Sequence, residues 1–88
     1  MIQAIIGNNA NRKPFNFPTN TTLRMALTSD EVNSEFGGYD FLTGGAMHLD
    51  GSSLNPGDLN KTFAELGYDG SEGKDKCFLL NVIKADNA

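Results

Sequence analysis

Apolar positions along the chain fall into short runs separated by turn-forming residues, and the period of each run predicts its element. Residues 2–6 form an apolar, β-branched run that stops at Gly7-Asn8-Asn9 and resumes over Arg12–Phe17. That pattern predicts a hairpin whose turn uses residues tolerant of positive φ. Phe15 and Phe17 share one face of its second strand, because strand side chains alternate. Pro14 and Pro18 cannot donate to a ladder, which places this strand at a sheet edge.

Thr19-Asn20-Thr21-Thr22 is a cluster of helix-capping residues ahead of Leu23-Arg24-Met25-Ala26-Leu27. Leu23, Ala26 and Leu27 follow the i, i+3, i+4 spacing of a helix, whereas Leu23, Met25 and Leu27 alternate as in a strand. The cap cluster and the polar Asp30-Glu31-Val32-Asn33 that follows favour a helix over 22–32, before Gly37-Gly38. A connection over 39–45 carries Tyr39, Phe41 and Leu42. Met47-His48-Leu49 and Ser52-Ser53-Leu54 flank Asp50-Gly51, a strong hairpin signal.

Asn55-Pro56-Gly57-Asp58 is a further turn, and Asp58 or Asn60 is placed to cap a helical turn carrying Leu59, Phe63 and Leu66. Gly67 ends it. A polar, Gly-rich loop over 69–76 leads to the apolar strand Cys77–Ile83, and residues 85–88 form a polar tail. Along the last strand Phe78, Leu80 and Val82 share one face, and Cys77, Leu79, Asn81 and Ile83 the other. Apolar groups on both faces imply a central strand.

Composition narrows the class. The 88 residues hold a single core, placed in one domain over 1–84, and 39% apolar content with six Phe is enough to build it. Eleven acidic against seven basic residues give a net charge of −4, with no basic run. That argues against phosphate neutralisation and so against nucleic acid as a partner. The acidic residues are spread along the chain, as on a solvated surface. Cys77 is the lone cysteine, which excludes an intrachain disulfide and fits a reducing compartment. The first six residues lack the basic start and length of a signal or membrane segment, so the expected location is cytoplasmic with no membrane partner.

Few residues suggest chemistry. His48 is the sole histidine, without a second ligand at metal spacing, and no metal or other cofactor is expected. Cys77 would need a base and an electropositive pocket to act as a nucleophile, and a partly buried strand cysteine is the plainer reading. Ser52-Ser53 beside His48 lacks a nucleophile elbow, and the glycines over 67–73 lack the lysine spacing of a phosphate loop. No catalytic residue is assigned.

The order of strand, turn, strand, helix, strand, hairpin, half-turn and strand resembles the ubiquitin-like β-grasp superfamily. Leu49-Asp50-Gly51-Ser52-Ser53-Leu54 looks like its hairpin into the fourth strand, and Thr62-Phe63-Ala64-Glu65-Leu66-Gly67-Tyr68 like the turn before its last strand. The resemblance implies an α+β fold with a four- or five-stranded mixed sheet and one main helix. The Thr21-Thr22-Leu23-Arg24 helix start and the Pro56-Gly57-Asp58-Leu59 segment also look like small bacterial proteins of mobile genetic elements. Modifiers and sulfur carriers of the superfamily end in Gly-Gly, whereas here Gly37-Gly38 and Gly44-Gly45 are internal and the chain ends Lys84-Ala85-Asp86-Asn87-Ala88. Ferredoxins of the same general topology hold iron–sulfur clusters through four cysteines, which a single cysteine cannot supply.

In such a fold one sheet face packs on the helix and the other is open, and the open side commonly receives partners. The expected docking patch is Ile5, His48, Leu79 and Ile83, unless residues 39–45 fold over and cover it. The expected function is therefore a non-catalytic interaction module, docking an unidentified protein on the open face or an exposed strand edge. The alternative is a small acidic inhibitor or counter-defence factor of a mobile element, whose binding would weaken steeply with salt. A sulfur-carrier or modifier role ranks below both.

Overall fold

The computed structural model describes residues 1–8 and 10–82. Asn9 of the first turn, Ile83 and the tail over 85–88 lie outside the described residues. The strands are β1 (Ile2–Asn8), β2 (Arg12–Phe17), β3 (Ala46–Leu49), β4 (Ser52–Ser53) and β5 (Lys76–Val82). They form one five-stranded mixed sheet in the order β2-β1-β5-β3-β4. Only β1 and β5 run parallel, while β1–β2, β3–β5 and β3–β4 are antiparallel. The fold class is thus α+β, with β5 central and β2 at an edge.

Between β2 and β3 lies the helical segment, and here the structure corrects the single helix expected over 22–32. There are two short helices in tandem, α1 (Leu23–Leu27) and α2 (Asp30–Glu35). Two neighbouring hydroxyls explain the break, since Thr28 Oγ1 donates to the Arg24 carbonyl at 2.7 Å and Ser29 Oγ to that of Ala26 at 2.8 Å. Side chains that hydrogen-bond nearby carbonyls compete with helix continuation. Ser29, extended at φ −66° and ψ 153°, then caps α2 by accepting the Val32 N–H at 3.4 Å. Thr22 caps α1 in the same way, accepting from Met25 N–H at 3.1 Å.

The core lies between this segment and one face of the sheet. Ile2, Ala4 and Ile6 of β1, Phe15 and Phe17 of β2, Met47 and Leu49 of β3, and Cys77 and Leu79 of β5 meet Leu23, Ala26, Leu27 and Val32 there. Phe63 enters from the loop before β5 and stacks on Phe17 with centroids 6.1 Å apart. Its turn is capped by Thr62, not by Asp58 or Asn60. Thr62 N–H donates to Glu65 Oε1 at 2.9 Å, and Thr62 Oγ1 accepts from Glu65 N–H at 3.1 Å. Asp58 serves the preceding 3₁₀ turn (Pro56–Asn60), accepting the Asn55 N–H at 3.0 Å.

Residues 39–45 pack on the helix side of the sheet. Phe41 is buried, edge-on to Phe36 and Tyr39 at 5.0 and 4.9 Å. Tyr39 Oη donates to Asn81 Oδ1 at 2.6 Å, which satisfies the one buried polar side chain described in the sheet. Gly45 is required beside it, because a Cβ there would stand 2.7 Å from Asn81 Oδ1 and 2.9 Å from the Val82 carbonyl oxygen.

Candidate docking face

The register decides which side chains face away from the core. Ile5 lies opposite Phe78 across the parallel β1–β5 pair, and His48 opposite Leu80 across the antiparallel β3–β5 pair. Directly opposed residues project from the same face. Ile5, His48, Phe78, Leu80 and Val82 therefore share the face turned from the helices, with Pro14 beside Ile5 and Ala46 beside Val82. Phe78 is 40% and Val82 36% exposed, while Ile5, Leu80 and His48 are half-buried among their neighbours.

Two members of the expected patch, Ile5 and His48, stand on this face. Leu79 does not. It is 0% exposed and lies opposite Ile6 and Leu49, both core residues. The expected parity of the last strand was inverted, and a one-residue inversion moves every side chain of a strand to the other face. Cys77 and Asn81 share Leu79's side and are buried with it. The fourth member, Ile83, lies outside the described residues. The central members are instead Phe78, Leu80 and Val82. One signal could have found them: Lys76 has their parity, and a lysine on a core-facing position of a central strand would bury its charge.

Residues 39–45 make their contacts on the opposite side, so they do not cover the face. Asp50 anchors the face at one end. It occupies a positive φ of 49° in the β3–β4 turn, with Gly51 at 89°, the conformation that Asp-Gly accepts in a two-residue hairpin. Its backbone N–H donates to the Phe78 carbonyl at 2.9 Å, and its Oδ1 accepts the Phe78 N–H at 2.8 Å. Oδ2 accepts from the Tyr68 hydroxyl. One carboxylate thereby ties the turn, the start of β5 and the preceding loop together. Arg12, Asp50, Gly51, Phe78 and Leu80 line a shallow depression beside it.

The titratable groups near the face are set for structure. Burial, with the Asp50 charge adding to it, pushes the Cys77 thiol up to about 12. A thiol held protonated in the core is a poor nucleophile or metal ligand. Burial, followed by the hydrogen bond to Asp50, raises the Tyr68 phenol above its ordinary range. Among the described residues no group of three or more His, Cys, Asp or Glu could hold a metal ion, and no helix is long and apolar enough to cross a membrane.

Neither sheet edge offers a run of backbone for strand addition. β2 carries Pro14 in mid-strand, whose missing N–H interrupts the row of donors, and β4 is two residues long. Comparison with family models, curated proteins and solved structures finds no match. The chain's function is therefore read from its geometry.

Proposed function

We propose that this chain is a β-grasp domain that acts by binding, docking a protein partner on the open face of its sheet. The β-grasp reading is supported by the strand order β2-β1-β5-β3-β4, by the parallel central pair, and by helices that link β2 to β3 across one face. The docking reading rests on one observation: Phe78 and Val82 are exposed on the central strand, with Leu80 between them and Ile5 alongside. Contiguous apolar side chains at the middle of an open sheet gain about 25 cal/mol for each Å² that a partner removes from water. Lys76 and His48, on the same face, supply a polar rim. The two poor edges favour the face over strand addition.

The reading as an acidic inhibitor has less support, because many carboxylates serve the fold locally. Asp40 accepts from Thr43 Oγ1 and Leu42 N–H, Asp69 from Ser71, and Glu35 pairs with Lys13 at 2.7 Å. The bonds to Asp40 and Asp69 leave them charged but fix them at turns, and the Lys13 pair neutralises Glu35.

Affinity capture from the protein's own cells, with wild type beside a Phe78→Thr/Val82→Thr double variant, tests the proposal. Threonine keeps strand propensity while removing apolar surface. The expected result is loss of the wild-type partner by a variant that still unfolds cooperatively. Retention of every partner overturns the docking face.

A further inference from the structure

The strands and the rest of the chain differ in charge. The protein carries eleven acidic and seven basic residues, yet no Asp or Glu lies in a strand among the described residues. The charged strand residues are Arg12, Lys13 and Lys76. Lys13 lies opposite the core residue Ile6 and is held by Glu35 of α2, so its charge is met within the fold. Arg12 and Lys76 belong to the open face. Arg12 lines the depression beside Phe78 and Leu80, and Lys76 Nζ stands 5.8 Å from the centre of the Phe78 ring. His48 adds an imidazole next to Leu80. Asp50, a carboxylate at this margin, accepts from Phe78 N–H and the Tyr68 hydroxyl.

From this segregation we infer that the partner presents an apolar segment flanked by carboxylates, which seats on Phe78, Leu80 and Val82 while its acidic groups meet Arg12 and Lys76. The inference rests on the docking face proposed above and adds the chemistry of its occupant. A cationic rim on a chain of net charge −4 also orients the encounter: an acidic partner is drawn to the sheet face and repelled from the rest. A nucleic acid is disfavoured by the same numbers, since two cations neutralise few phosphates and the overall charge repels the backbone.

Selection of random dodecapeptides displayed on phage against the full chain, repeated on Phe78→Thr and on the Arg12→Glu/Lys76→Glu double variant, tests this. Peptides that need Phe78 should be enriched in apolar residues and carboxylates relative to the unselected library. Their affinity should fall about tenfold on charge reversal, less for Arg12→Gln/Lys76→Gln, and further with added salt. Denaturation midpoints of the variants keep a folding defect from passing as lost binding. Phe78-dependent peptides that are neutral or basic, or that ignore the charge reversal, overturn the acidic partner and leave the docking face standing. Absence of any Phe78-dependent peptide overturns both. Concentration-dependent self-association by sedimentation that Phe78→Thr abolishes, or oligothymidylate binding lost on charge reversal, overturns the assignment in favour of a second copy or a single strand.

Discussion

Leu79 is sealed between the sheet and the helices, whereas its neighbour Phe78 is partly exposed on the other side. Truncating a sealed leucine removes its transfer free energy and leaves a cavity. Leu79→Ala should therefore lower unfolding stability by about 2–5 kcal/mol in a urea titration. Phe78→Thr should cost under about 1 kcal/mol, because it gives up partly hydrated area and keeps a strand former. Equal costs would mean that the two faces are reversed. Cys77 and Tyr68 add a dependence on pH. Both are raised in the folded state, so each releases its proton at lower pH when unfolded, and the stability they contribute is complete below those unfolded values. It declines as pH rises, for Cys77 from its ordinary value of 9.0 towards about 12. Urea midpoints should fall between pH 8 and pH 11, and fall less in a Cys77→Ala variant. The intact thiol should resist alkylation at pH 8 until denaturant is added.

At the scale of elements, legibility followed how local the signal was. The hairpin at Asp50-Gly51, the edge strand marked by Pro14, and the central position of the last strand were readable, because turn chemistry, proline and two-sided hydrophobicity act within a few residues. The break at Thr28-Ser29 is not visible in helix spacing, because it depends on where two adjacent hydroxyls find acceptors. The parity of β5 is hidden for a related reason. Apolar residues on both faces leave open which side meets the helices, and Asn81 is buried because Tyr39, 42 positions away, supplies its partner. Long-range satisfaction of that kind is invisible in a local window, whereas Lys76 at the strand start held the answer. Asp50 offers a test at this scale. Asp50→Ala removes the acceptor for Phe78 N–H and Tyr68 Oη and places alanine at positive φ, for an expected loss of about 1–3 kcal/mol. Asp50→Asn keeps the turn and one acceptor and should cost less. Hydrogen exchange at the Phe78 amide should accelerate in the alanine variant, and an unchanged rate there would remove Asp50 as the anchor of β5.

Across the whole molecule, the helices, the loop over 39–45 and Phe63 all close one side of the sheet and leave the other open. The two sides also differ in charge, with Arg12 and Lys76 beside the open face and carboxylates confined to helices, turns and loops among the described residues. A domain built this way offers an apolar surface at the middle of its sheet, and the position of that surface is the claim on which the functional reading depends. The most direct measurement is photo-crosslinking in cells from p-benzoylphenylalanine placed either at Val82, on the open face, or at Met25, which is exposed on α1. The account predicts a discrete heavier adduct from position 82 and none from position 25. An adduct from position 25 alone, or none from position 82, would contradict it.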